Sequence, residues 1–423
     1  MARFRLDDWL ARRTGLAAPT PEALRAWQME RLRELVRHAL ANSPFYARHL
    51  RGVDPDALRT AADLARLPLL APTQVSAAPE ALLCVSQDEC ARAVTVTSSG
   101  TTGEPKRFFF TAEDLAATRD FFASGMAHLL DPGGVALVLL PGERPDGVGQ
   151  LLARALEDSG AGAVVHGALE NTALALDEML AEDVTCVVGS PAHVHLLARA
   201  WERRGLPGGR VASVLLCWDQ VPEPLAAGVA RAFGCRVFRH WGMIETGLGG
   251  AVECAPGSGL HLREAELLLE VVGPDGTPLP EGEAGELVVT TLARRGMPLL
   301  RYRTGDAGRL LPGACACGSP LRRLDPAVTR LEDGGGGGSG PTLTALNNAL
   351  FAVPGLDDFA AAVVDGTLAL TVCGQGPDLE ANVRDAVRRA WPRTALRLDI
   401  RNDGAPAVPG LGKRRIHTGG TEA

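Results

Sequence analysis

Lysine is nearly absent from this 423-residue chain: Lys106 and Lys413 stand against 41 arginines. A composition that supplies positive charge as arginine almost everywhere marks a retained lysine as a place needing a compact ammonium rather than a planar fork. Long apolar runs are missing as well. None approaches the ~18 residues of a membrane span, which argues against a membrane partner. The first fifteen residues alternate charge with short apolar pieces and lack the apolar centre of a secretory leader. Excess positive charge is missing too: the formal net charge is −7 and the basic residues are spread out. That argues against nucleic acid as a partner. Nine cysteines, an odd number scattered over the chain, do not read as a disulfide framework, so a reducing cytoplasm is the expected setting.

What remains is ordinary for a globular protein, with 46% hydrophobic and 22% charged residues. The length allows two or three domains. Apolar residues at helical spacing predict packing helices over 21–50 within a helical segment spanning 1–90. A β-prone run at 93–96 precedes Thr97, Ser98, Ser99, Gly100, Thr101, Thr102 and Gly103, an unbroken hydroxyl-or-glycine series, and then Glu104, Pro105 and Lys106. Two glycines let the backbone N–H groups converge on an anion, the hydroxyls add donors, and the lysine adds charge. This suits a polyphosphate, although a solvated turn between strands has the same composition. It is not a Walker P-loop, in which glycine, lysine and a hydroxyl residue are consecutive.

Beyond a strand at 108–110 and a helix over 112–130 capped by Thr111, short apolar strands alternate with helices as far as 238. That alternation predicts a parallel sheet covered by helices on both faces. Ligands of such sheets lie beyond the carboxyl ends of the strands, so the segments from Leu216 to Asp219, with Trp218, and from His240 to Glu245 are candidates by position. From 262 to 328 the pattern changes to antiparallel strands. Five successive glycines at 334–338 predict a linker within 331–342. Residues 343–423 then read as a small α+β domain. The expected fold is α/β: a large N-terminal domain, 1–330, with helix-covered, mainly parallel sheets and a small β subdomain, followed by a small mobile C-terminal domain.

Four stretches together resemble the adenylate-forming superfamily of acyl-CoA synthetases. The loop ending at Lys106 looks like its phosphate-binding signature. Trp241-Gly242-Met243-Ile244-Glu245 is similar to its Tyr-Gly-Met-Thr-Glu motif, and Tyr302-Arg303-Thr304-Gly305-Asp306 matches its Tyr-Arg-Thr-Gly-Asp motif. Gly412-Lys413 looks like the C-terminal catalytic lysine. Within the superfamily, Asn42-Ser43-Pro44-Phe45-Tyr46 and the Cys315-Ala316-Cys317-Gly318 stretch resemble the phenylacetate-CoA ligases and related AMP-dependent CoA ligases.

The resemblance implies an ATP-dependent carboxylic acid:CoA ligase, forming an acyl adenylate and pyrophosphate and then a thioester. Its partners would be a small organic acid, ATP and coenzyme A, with room for a homodimer. Ser98, Ser99, Gly100, Thr101, Thr102, Gly103 and Lys106 would hold the phosphates, and Glu245 would bind Mg²⁺. Asp306 with Arg330 would take the ribose, and Trp241, Gly242 and Met243 would line the adenine. Lys413 would bridge carboxylate and α-phosphate, and Glu332 would be the hinge of the small domain. Trp218, Trp241, Gly247 and Gly249 are the candidates for the acid pocket. Two departures are Ile244, where the family has threonine, and Trp241, where it has tyrosine. They keep two alternatives open: adenylation without CoA, and a weakened nucleotide-binding relative.

Cys254, His261, Cys315 and Cys317 form a separate constellation. Three thiolates and an imidazole satisfy tetrahedral zinc, although the Cys-x-Cys spacing is tight and the halves lie 54 residues apart. Free buried cysteines are the alternative. With zinc, the set would be a structural clip with no open ligand position.

Overall fold

Residues 4–96, 105–331, 341–402 and 412–418 are described in the computed structural model. The candidates Ser98, Ser99, Gly100, Thr101, Thr102, Gly103 and Glu332 lie outside them. The chain divides into two units, one made of Met1–His128 and His240–Val328, the other of Leu129–Arg239 and Thr329–Ala423.

In the first unit, α1 (Arg5–Thr14) is a helix that the sequence pattern alone did not set apart; Gly15, at φ 74°, ends it in the left-handed conformation that glycine tolerates. Helix α2 (Pro21–Asn42) starts with Pro21 at its first position, and Thr20 accepts the Ala23 N–H at 3.2 Å. It buries Leu24, Leu32, Leu35 and Val36 on one face, as their spacing predicts. Two short helices, α3 (Pro44–His49) and α4 (Pro72–Ala77), follow.

Strands β1 (Cys90–Val96) and β2 (Lys106–Thr111) pair antiparallel, with Val96 opposite Lys106. Val96 and Lys106, which flank the glycine-rich segment, therefore stand side by side. Thr111 and Asp114 form a reciprocal capping box at the start of α5 (Ala112–Met126). That helix stops four residues before the expected end.

The second unit holds the parallel sheet. Strands β3 (Val135–Leu139), β4 (Gly162–Val165), β5 (Cys186–Gly189), β6 (Ser213–Leu216) and β7 (Arg236–Trp241) run in the order β4-β3-β5-β6-β7, every pair parallel. Helices α6 (Val148–Asp158), α7 (Thr172–Ala181), α8 (Pro191–Arg203) and α9 (Glu223–Phe233) are the crossovers. Strand β7 runs three residues further than the apolar pattern indicated, because its last two residues, His240 and Trp241, already belong to the first unit and pair within it with Val252 and Ala251. The sequence pattern could not register those partners.

That β region contains β8 (Ala251–Glu253), β9 (Leu260–Leu262), β10 (Leu267–Val272), β11 (Gly285–Thr291), β12 (Tyr302–Gly308), β13 (Leu310–Leu311) and β14 (Arg323–Leu324). Strands β10, β11 and β12 form an antiparallel meander, and β8, β9, β14 and β13 a second antiparallel set. Its core gathers Trp241, Leu262, Leu269, Val289 and Leu324.

After β15 (Thr329–Arg330), the second unit ends with α10 (Leu343–Leu350), β16 (Leu356–Val364), β17 (Thr367–Gly374), α11 (Leu379–Ala390), β18 (Ala395–Arg401) and β19 (Ile416–Thr418). Their sheet has the order β18-β17-β16-β19. One apolar cluster takes in Val194, Leu197 and Val229 of the parallel layer together with Leu346, Leu350, Phe351 and Phe359. Among the described residues, no helix is long and apolar enough to cross a membrane.

Candidate active site

Lys106 opens β2, and its ammonium meets two groups from distant parts of the chain. Its Nζ lies 2.7 Å from Glu245 Oε1 and 2.9 Å from the Tyr302 hydroxyl, and Tyr302 in turn donates to the same Glu245 oxygen at 3.0 Å. The three side chains close a triangle inside the first unit. Glu245 stands in a single helical turn, Ile244–Thr246, directly after β7. Thr246 Oγ1 caps that turn by accepting the Met243 N–H at 3.1 Å, and Gly247, at φ 73°, ends it. Burial by itself would push the Glu245 carboxyl up. The Lys106 ammonium and the hydrogen bonds from Lys106 and Tyr302 outweigh it and hold the group below the usual glutamate range. The carboxylate is therefore ionised at neutral pH.

Arg294 lies near this triangle. Its guanidinium sits 4.4 Å over the Phe110 ring and donates to the Ile244 carbonyl at 3.3 Å. Burial pushes its pKa down, and Asp114 and Glu245 pull against that.

Asp306 follows Gly305 in β12 and is buried. Its Oδ2 accepts the indole N–H of Trp241 at 3.1 Å, and its own N–H donates to Thr304 Oγ1 at 3.0 Å. Trp241 is itself only 8% exposed, so the indole holds the Asp306 carboxylate by its edge and belongs to the β core. Gly242 and Met243 continue from the strand end towards Glu245. Gly249 is pressed against α5: a Cβ there would come within 2.7 Å of the Phe121 ring.

A second cluster in the same unit joins the turn after β8, strand β9 and the loop between β13 and β14. The ligand atoms of Cys254, His261, Cys315 and Cys317 all lie within 4.8 Å of one another. Cys254 Sγ is 3.7 Å from Cys315 Sγ, and Cys317 Sγ is 3.4 Å from His261 Nε2. A tetrahedron of Zn–S bonds of about 2.3 Å has S–S edges of about 3.8 Å, with slightly shorter edges to nitrogen. These two separations are near that edge length, the whole set lies within 4.8 Å, and the donor set is that of a closed site. The Phe4 ring packs on His261 at 4.8 Å, covering the cluster with the residue before α1.

Trp218, Arg330 and Lys413 belong to the second unit. Trp218 follows β6 with φ 81°, Arg330 ends β15, and Lys413 is exposed immediately before the buried Arg414.

Asp114 and Arg294 are neighbours of the site without a place in any motif, and Tyr302 stands in the motif ending at Asp306 with no role assigned to it. A signal for Tyr302 was present, since the chain holds only two tyrosines; scarcity marks it as it marks the lysines. Nothing distinguishes Arg294 among 41 arginines.

The AMP-binding enzyme family profile matches residues 27–293. Phenylacetate-coenzyme A ligase of Thermus thermophilus is 34% identical over 327 residues, 74% of this chain and 71% of that one. Its namesake from Pseudomonas putida is 29% identical over 332 residues, 74% and 72% of the two chains. The solved structure of 2-hydroxyisobutyryl-CoA ligase in the postadenylation state shares the fold, with a TM-score of 0.81 at 19% identity over 97% of this chain and 91% of that one. With the Lys106–Glu245–Tyr302 triangle and the Trp241–Asp306 pair in their motifs, the chain belongs to the AMP-binding enzyme family, as an adenylate-forming ligase similar to the phenylacetate-CoA ligases.

Proposed function

We propose that the protein joins an aromatic or other small organic acid to coenzyme A in two steps. The carboxylate first attacks the α-phosphorus of ATP, giving acyl adenylate and pyrophosphate. The CoA thiol then attacks the acyl carbon, expelling AMP and giving the thioester. A carboxylate is a poor acyl donor because its leaving group would be oxide; adenylation replaces that with a phosphate. The observation that carries this reading is the buried, ionised Glu245 held by Lys106 and Tyr302 on two of the family's motifs.

Within it, Ser98, Ser99, Gly100, Thr101, Thr102, Gly103 and Lys106 take the β- and γ-phosphates. Glu245 is a hard oxygen ligand suited to Mg²⁺, which when bound neutralises phosphate charge. Asp306, aimed by the Trp241 N–H, accepts from the ribose hydroxyls with Arg330 assisting, while Gly242 and Met243 line the adenine. Lys413 stabilises charge between carboxylate and α-phosphate, and Glu332 is the hinge about which residues 343–423 swing to admit CoA. Trp218, Gly247 and Gly249 contribute to the acid pocket. The free thiols of the chain suit a reducing cytoplasm.

The test is acid-dependent exchange of pyrophosphate into ATP over a panel beginning with phenylacetate and benzoate, repeated with CoA while following thioester. Exchange with thioester is expected. Exchange without thioester would turn the reading to another acceptor. No exchange with any acid would favour a weakened nucleotide-binding protein, consistent with Ile244 in place of a hydroxyl donor.

Cys254, His261, Cys315 and Cys317 hold structural zinc in this reading, clipping the β8–β9 hairpin to the β13–β14 loop. Purified protein is expected to carry about one zinc per chain by elemental analysis. Cys315→Ser should lose the metal and lower the melting temperature. A metal content well below one equivalent refutes the site.

A further inference from the structure

The carboxyl end of β6 carries a polar network that none of the roles above uses. Trp218 has φ 81°, a conformation in which a bulky side chain is an outlier and which points to function when observed. It sets the next carboxylate. Asp219 Oδ1 accepts the Gln220 N–H at 2.8 Å, and Oδ2 accepts the backbone N–H of Arg414, the residue after Lys413, at 3.3 Å.

The network then returns to its start. Gln220 donates to Thr344 Oγ1 at 2.8 Å and accepts from Asn347 Nδ2 at 3.2 Å, while Asn347 Oδ1 accepts from Arg414 Nη1 at 3.4 Å. Asp219, Gln220, Asn347 and Arg414 thus close a ring. Two of its members follow β6, one lies in α10, and Arg414 stands just before β19.

Arg414 is the rigid member. Its guanidinium is stacked 4.5 Å from the Phe359 ring and 4.9 Å from Phe351, donates to the Phe359 carbonyl at 3.0 Å, and is ion-paired with Asp358. A cation desolvated between two rings and paired does not wander. The Lys413 backbone is therefore fixed by its neighbour, and Asp219 supplies the hydrogen bond that ties this segment to the end of β6.

We propose that Asp219 and Gln220 are positioning residues: a latch that seats the Lys413 segment for adenylation and must open before the thioester step. This rests on the reading of Lys413 as the adenylation lysine. The latch has few bonds, and its acceptors are side chains exposed to exchange with water once parted. It is therefore suited to reversible opening rather than permanent closure. Its consequence is opposite weighting of the two half-reactions.

The test uses full-length protein with phenylacetate for pyrophosphate exchange, and synthetic phenylacetyl-adenylate with CoA for thioester formation. Asp219→Ala is expected to lower exchange about 10- to 30-fold, the loss of one or two hydrogen bonds to a charged group, with thioester formation unchanged or faster. Asp219→Asn keeps an oxygen acceptor and should restore exchange to within about threefold of wild type. If Asp219→Ala melts early, Gln220→Ala opens the ring at another point and should show the same split. Equal losses in both half-reactions, or no loss in either, overturn the latch while leaving the ligase reading intact. Wild-type protein without exchange on any acid overturns the ligase reading and the latch with it.

Discussion

Lys413→Ala is expected to slow acid-dependent pyrophosphate exchange by about 10²–10³-fold while ATP affinity stays within a few-fold of wild type. The reason is where charge develops. As the carboxylate approaches the α-phosphorus, negative charge gathers on oxygens between acid and phosphate, and a preorganised ammonium there lowers the barrier more than it aids ground-state binding. The substitution is clean because Lys413 is exposed, so truncating its side chain should change stability by roughly 0.5 kcal/mol or less. The fixed neighbour Arg414 keeps the backbone in place. Thioester formation from supplied acyl adenylate should survive, since that step has no carboxylate left to activate. An exchange rate equal to wild type would remove Lys413 from the mechanism.

Glu245→Ala should cost both stability and activity. The carboxylate side chain is 6% exposed and its Lys106 partner 16%; removing one member leaves a largely buried ammonium without its counter-charge. Such losses cost about 3–5 kcal/mol, which for a domain of this size lowers the melting temperature by roughly 6–20 °C. Glu245→Gln separates the two effects. The amide oxygen can still accept from Tyr302 and Lys106, so less stability is lost, but a neutral amide is a poor ligand for Mg²⁺ and exchange should still fall about 10²-fold or more.

The pair also predicts a pH dependence. Because the folded carboxyl lies below its unfolded value, the unfolded chain binds more protons through the window beneath pH 4.5. The stabilisation is full above that pH and fades as pH falls through the folded pKa. Chemical denaturation at pH 7 and pH 4 should show a smaller difference for Glu245→Gln than for wild type. An equal difference would mean that the ion pair contributes nothing to folding.

The sequence by itself determined the alternation of short apolar strands with helices over 135–238, and hence a parallel sheet, because these features repeat within a few residues and follow from local sterics and burial. It also marked the candidate positions for the chemistry. Two lysines among 41 arginines, the Glu245 and Asp306 motifs, and the three thiols with one imidazole all stand out by residue type. Tertiary structure decided the rest. Lys106, Glu245 and Tyr302 are brought together across separations of 139, 196 and 57 residues, and no local pattern encodes such a pairing. It likewise brought the buried Trp241 N–H to Asp306, carried β7 past its apolar run, and drew the ligand atoms of Cys254, His261, Cys315 and Cys317 within 4.8 Å of one another. Each outcome depends on which strands become neighbours. Local propensity fixes the elements, but side-chain encounters arise only when long-range pairing removes competing partners and water together.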